Sequence, residues 1–161
     1  MDVGATAALV ARIDLSAAFA LSAATKIAHR GEFARGLAEF GVPGSGPLAR
    51  ALPAVEAGLA GMLVAVRDQA WPAFLAIAVL AVFTGAVIAN LAGGSPKPCP
   101  CFGPPAAGAR PVSAGTVIRN GYLVGLAVLG TGSTTGASGA ATAVAAAVTV
   151  PATLAALRRF G

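Results

Sequence analysis

Long apolar segments, separated by short polar connections, constrain this chain more than any other feature of its sequence. A helix needs about 20 apolar residues to cross the hydrocarbon core of a bilayer, and the 161 residues give room for four or five such helices. The composition agrees, because 57% of the residues are hydrophobic and only 11% are charged, which no soluble domain of this size approaches. The sequence therefore predicts an all-α, polytopic transmembrane helical bundle of four to five spans, with residues 1–161 forming a single membrane domain.

The first predicted span is interpreted as a retained helix, because it is too long for a signal peptide and carries Arg12 and Asp14 early. The last predicted span depends mainly on alanine, which contributes little transfer free energy, and Pro151 interrupts it. Hydropathy places the five spans at residues 3–28, 48–66, 70–91, 112–129 and 140–157.

The only two cysteines of the chain, Cys99 and Cys101, lie in a proline-rich segment at residues 92–111, between the third and fourth spans. A thiol attacks a disulfide as its thiolate, and positive charge such as that of Lys97 favours the thiolate. A disulfide closed across one intervening residue departs from the preferred geometry and is easier to reduce. The pair therefore suits disulfide exchange better than stapling, and Cys99 and Cys101 are the predicted catalytic residues.

Two other interpretations of the cysteines stay open. One is an inert pair that acts as a structural clip. The other is a metal site, but two cysteines and the one histidine, His29, cannot complete a tetrahedral zinc site. No metal site is therefore predicted within the chain, although a site shared between molecules, for example for copper, remains an alternative.

Several polar residues near the span ends are predicted to converge on the cysteines. Counting spans puts the first connection, the cysteine segment and the C-terminus on one side of the bilayer. Ionisable groups inside a membrane are costly and usually face a cavity or the bundle interior, which makes these residues candidates for supporting the thiol chemistry. They are Lys26, Glu56, Asn90, Arg119 and Asn120, together with Lys97 in the cysteine segment itself.

The charged residues also have a structural interpretation. Lys26, Glu56 and Arg119 could form a buried ion-pair network that only holds the helices in register, and a contact between Glu56 and Arg119 is expected. Residues two apart do not face one another along a helix, so Arg12 and Asp14 are expected to pair with groups such as Asp68 and Arg67 instead. Four residues near the opposite face are thus interpreted as structural: Arg12, Asp14, Arg67 and Asp68.

The order of these features resembles the methylamine-utilisation MauE family, which is grouped with DoxX-like proteins as redox-associated membrane proteins. The resemblance covers most of the chain up to about Leu129. It implies a role in forming or handling disulfides in exported proteins beside a thioredoxin-like partner, and it carries over directly to Cys99 and Cys101. The matching features are Lys26, Leu52-Pro53-x-x-Glu56-x-Gly58, Cys99-x-Cys101-Phe102-Gly103 and Arg119-Asn120.

The functional prediction is a membrane protein that exchanges disulfides with a thioredoxin-like or exported thiol protein. Lys97 and Arg119 would favour the thiolate, and Glu56 would relay protons. The alternative is a non-catalytic subunit or assembly factor of a larger membrane complex. No cofactor is required by the pattern. A quinone is an acceptor suggested by a looser comparison with vitamin K epoxide reductase-like proteins, although this chain lacks their second cysteine pair.

The net charge of +5 is no evidence for nucleic-acid binding, because arginines at span ends can meet anionic lipid headgroups.

Two rules give opposite orientations for the chain in the cell membrane. Disulfides persist outside the cytoplasm, so the prediction is an extracytoplasmic cysteine segment with Arg67 in the cytoplasm. The positive-inside rule favours the reverse, because seven cations fall on the cysteine side: Arg30, Arg35, Arg50, Lys97, Arg110, Arg158 and Arg159.

Overall fold

The computed structural model of this chain describes residues 2–39, 41–93 and 114–159. Within these ranges the protein is built from helices joined by short connections, which confirms the predicted all-α class. The helices are α1 (Val3–Ala28), α2 (Arg30–Glu39), α3 (Ser45–Ala65), α4 (Trp71–Ala92), α5 (Ala114–Leu129) and α6 (Gly139–Arg159).

Four of these helices are long and apolar enough to cross a membrane, namely α1, α3, α4 and residues 139–157 of α6. The alanine-rich last segment is thus one of them, and its proline is accommodated inside the helix. The described part of α5 is apolar but shorter, with 16 residues. The chain is a multi-pass membrane protein.

The helix ends lie within three residues of the predicted spans, and the largest difference is at the start of α3. Helix α1 begins where predicted, because the Asp2 side chain accepts hydrogen bonds from the backbone N–H groups of Gly4 and Ala5 at 2.9 and 3.2 Å. Helix α3 begins three residues before the predicted position 48, directly after Gly44, whose φ of 72° ends the preceding turn. The first connection also contains α2, to which the span prediction assigned no helix.

Helix α1 lies at the centre of the bundle and packs on α3, α5 and α6, while α4 packs on α3 and α5. Alanines on α1 allow close approach of the neighbouring backbones, as is common between membrane helices. The core between these helices is fully buried and includes Leu15, Phe19, Leu59, Leu63 and Leu80.

Helix α2 is amphipathic and covers the start of α3. Its apolar residues Phe33 and Leu37 pack against Ala49, whereas Arg35 on its other face and Arg30, the first residue of the helix, are exposed. Because α2 directly follows the end of α1, this packing places the exposed arginines at the end of the bundle where α1 ends.

At the other end of the bundle, Arg12 binds backbone carbonyl groups rather than a side chain. Its guanidinium donates to the carbonyl oxygens of Gly130, Val66 and Gln69 at 2.7, 3.0 and 2.5 Å. Helix ends leave carbonyls without intrahelical partners and carry partial negative charge, so the end of α3 and the end of α5 suit a buried cation. Asp68 is close enough to attract Arg12, but the expected side-chain pair is replaced by this carbonyl cluster.

The expected partner of Asp14 is also corrected by the structure. Asp14 is 2% exposed, and its Oδ1 accepts a hydrogen bond from the Thr149 hydroxyl of α6 at 3.0 Å. Arg67 instead contributes its backbone carbonyl, which accepts from the Thr134 hydroxyl at 2.8 Å. The carboxylate therefore joins α1 to α6 through a neutral hydroxyl, which explains why counting charges did not find this contact.

Candidate functional site

A buried ion pair between α1 and α3 lies at the end of the bundle where α1 ends. The Nζ atom of Lys26 is 2.8 Å from both carboxylate oxygens of Glu56. Ser22, one turn before Lys26 on α1, accepts a hydrogen bond from Nζ and donates to Glu56 Oε2 at 3.2 Å. Lys26 is 2% exposed and Glu56 is fully buried. The two charges are thus removed from solvent, and Ser22 forms hydrogen bonds with both charged side chains.

Two aromatic rings also lie close to Lys26. Its Nζ lies 5.6 Å from the centroid of the Phe33 ring and 5.8 Å from that of Phe83, within the distance of about 6 Å at which a ring face attracts a cation. Phe33 comes from α2 and Phe83 from α4. The ammonium group therefore contacts side chains of α1, α2, α3 and α4.

Helix α5 brings Arg119 and Asn120 to the same end. Arg119 is 5% exposed and close enough to Lys26 for the two positive charges to repel each other. Asn120 donates from Nδ2 to the Thr84 hydroxyl at 3.1 Å, and that hydroxyl donates to the carbonyl of Leu80 at 2.7 Å. The half-buried Asn90 lies further along α4, in its last turn.

The structure corrects one predicted contact in this cluster. Of the expected network of Lys26, Glu56 and Arg119, the salt bridge between Lys26 and Glu56 is present at 2.8 Å, whereas the described contacts of Glu56 are with Lys26 and Ser22 and do not include Arg119. The physical reason is the register of α1 against α3, since Ser22 and Lys26 both face the turn of α3 that carries Glu56. Arg119 approaches the pair from α5 and adds a second positive charge.

The polar residues that lie at this end of the bundle are hereafter called the Lys26 cluster, which comprises Ser22, Lys26, Glu56, Arg119 and Asn120. Its described members carry two positive charges and one negative charge in a buried setting. Such an excess of positive charge stabilises a nearby anion. The cluster can therefore favour the charged form of an acidic group, such as a thiol, that approaches this end of the bundle.

The predicted residues Lys97, Cys99 and Cys101 lie outside the described residues. Helix α4 ends at Ala92 and α5 begins at Ala114. The Lys26 cluster contacts both helices, through Phe83 on α4 and Arg119 on α5. The chain thus leaves the described bundle and returns to it at the end that holds the cluster.

The sequence interpretation missed three contributors to this site. Ser22 lies four residues before Lys26, a spacing that places both on one helix face and could have identified it. Phe33 and Phe83 gave no such signal, because an aromatic residue in an apolar helix is usually a packing residue. Their proximity to Lys26 follows from the way α2 and α4 pack.

Comparison with known proteins gives one match. A family model described as "Methylamine utilisation protein MauE" matches residues 4–133, which is more than half of the chain. No curated protein and no solved structure matches it. The matched range contains the Lys26 cluster and the cysteine segment, and it ends before α6.

Proposed function

The chain belongs to the MauE family, and we propose that it is a membrane thiol-disulfide exchange protein that supports redox maturation of exported proteins in methylamine utilisation. The observation that carries the proposal is the position of the Lys26 cluster. Its buried positive charges lie at the end of the bundle where α4 and α5 lead into the segment with both cysteines. Assignment to the wider DoxX-like group stays a prediction.

The proposed exchange needs only the two cysteines and a partner disulfide. The thiolate of one cysteine attacks a partner sulfur, forming a mixed disulfide and releasing the other partner sulfur as a thiolate that takes up a proton. The second cysteine, as its thiolate, attacks the mixed disulfide. This leaves a Cys99–Cys101 disulfide and a reduced partner. The reverse sequence transfers the disulfide to an exported dithiol.

The Lys26 cluster has a supporting part in this proposal. Lys26 and Arg119 raise the thiolate fraction through their charge, as cations beside reactive cysteines do. Lys97, two residues before Cys99, adds to the same effect. Glu56 accepts a proton from the attacking thiol and returns it to the leaving thiolate, while Asn90 and Asn120 offer neutral hydrogen-bonding groups at this end.

A variant that cannot complete the exchange should retain its partner. With Cys101→Ser or Cys99→Ser, whichever removes the resolving thiol, we expect a mixed disulfide that survives purification and is released by dithiothreitol. Pull-down of the tagged full chain followed by non-reducing electrophoresis measures it. The matched control is the double variant, which has no thiol. If neither single variant retains more protein than the double variant, the exchange function is rejected in favour of the subunit or assembly-factor alternative.

The proposal also requires an extracytoplasmic cysteine segment. We expect Cys99 and Cys101 in intact cells to react with a membrane-impermeant maleimide after mild reduction, because disulfides form and persist outside the cytoplasm. The control is Arg67→Cys in a chain in which Cys99 and Cys101 are both replaced by serine; position 67 lies in the connection at the other end of the bundle and should react only after lysis. The reverse labelling pattern would place the thiols in the cytoplasm and remove the exported-protein role.

A further inference from the structure

A shallow groove of about 680 Å³ runs along the outer surface of the bundle between α1 and α3. The hydroxyl of Ser16, at one end of it, donates to the carbonyl of Ala60 at 2.8 Å, so this polar group is engaged within the protein. The remaining surface is apolar and mostly small. It includes Ala20, Ala24 and Ile27 of α1 and Ala57, Gly61 and Ala65 of α3.

Two exposed arginines lie beyond the Ile27 end of this groove. Arg50 lies on the same face of α3 as Ala57 and Gly61, about two turns before Ala57. Arg30 follows Ile27 by three residues, as the first residue of α2. The nearby carboxylate of Glu32 faces His29 at 3.9 Å. The apolar groove therefore opens toward positive charge at the end of the bundle where α1 and α2 meet.

We propose that this groove binds one acyl chain of an anionic phospholipid, whose headgroup phosphate is bound by Arg50 and Arg30. The pairing of an apolar groove with guanidinium groups at its mouth matches both parts of such a lipid, because arginine binds phosphate through two parallel hydrogen bonds. A transmembrane helix would also fill the groove, but only one with an acidic group at its end would bind the two arginines, whereas every anionic phospholipid carries the phosphate that they bind. The lipid is therefore the occupant that accounts for both features.

Two glycines of α3 provide a matched test of the groove. A Cβ atom added at Gly61, which lines the groove, or at Gly58, which lies outside it, would meet nothing within 4 Å. Both Gly61→Leu and Gly58→Leu should therefore be tolerated, and only the first fills the groove. We expect Gly61→Leu to lower retained lipid severalfold relative to Gly58→Leu, because the added side chain occupies the space that the acyl chain would fill.

Retained lipid is measured by native mass spectrometry of the full chain. The purified protein in detergent is first mixed with equal amounts of phosphatidylglycerol and phosphatidylcholine that have the same acyl chains, and the detergent is then removed in the spectrometer. We expect the wild-type protein and Gly58→Leu to retain phosphatidylglycerol in preference. Arg50→Gln should lower that preference about fivefold, the effect of one arginine near an anionic headgroup. Arg35→Gln, an exposed position on α2, is the charge control and should keep the preference.

Three results would overturn the lipid site. They are unchanged lipid retention in Gly61→Leu, equal retention of the two lipids by the wild-type protein, and a wild-type dimer that Gly61→Leu converts to monomer. The last result would assign the groove to a second copy of the chain. Ala57→Leu fills the same groove and repeats the test if Gly61→Leu does not fold.

Discussion

Replacing Glu56 with glutamine is expected to destabilise the bundle by about 3 to 5 kcal/mol, because the change leaves the buried Lys26 charge without its carboxylate. Lys26→Met should cost a similar amount, since it leaves Glu56 ionised in an apolar interior. The double variant should lose clearly less than the sum of the two single variants. The reason is that neutral residues at both positions remove the desolvation cost of both ions.

This double-mutant cycle is measured on the purified full chain in mixed micelles. Denaturant titration gives the free energy of unfolding of each variant. The control pair is His29 and Glu32, which are 3.9 Å apart with side chains nearly half exposed. Their double replacement should change stability by less than about 1 kcal/mol. Strict additivity of the Lys26 and Glu56 losses would show that the 2.8 Å contact contributes no coupling energy.

Cys99→Ser and Cys101→Ser are each expected to abolish disulfide exchange while leaving the fold in place. Exchange needs one thiol to attack and a second to resolve, so either loss stops turnover. The stability change should stay below about 2 kcal/mol, because a disulfide across one residue closes a minimal loop. Exchange of the purified protein with a fluorescent disulfide reporter measures the first effect, and denaturant titration measures the second.

Ser95→Ala, a change of similar size in the same segment, is the matched control and should keep full exchange activity. Failure of either cysteine variant to insert or fold would favour the structural-clip interpretation. Full activity in both variants would exclude the cysteines from the chemistry.

The sequence was sufficient to predict the helical class and the place where charges meet. Ionisable groups inside a membrane must find partners or a polar cavity, and counting spans put Lys26 and Glu56 at the same end of the bundle. That argument does not fix which cation faces Glu56. The choice of Lys26 over Arg119 depends on the register of α1 against α3, which is a property of side-chain packing and leaves no pattern in a single sequence.

Three other features of the structure leave no pattern that hydropathy or charge pairing in the sequence could indicate. Arg12 binds main-chain carbonyls, which every residue has, so searching for acidic side chains could not find its partners. Asp14 binds Thr149, a neutral residue in a helix rich in alanine and threonine. Helix α2 is too short and too polar to stand out in the hydropathy of the sequence, and the position of Phe33 beside Lys26 depends on how α2 packs on α3.

The carbonyl cluster at Arg12 has a consequence for how this protein can change over evolution. Because Arg12 binds the main chain at positions 66 and 69, the side chains there are free to vary without loss of its hydrogen bonds. Position 130 is more restricted, since a Cβ atom in place of Gly130 would lie 3.2 Å from Arg12 Cγ. Residues 66 and 69 thus contribute only their main chains to this end of the bundle, whereas the Arg12 side chain and the small size of residue 130 are needed for the carbonyl cluster.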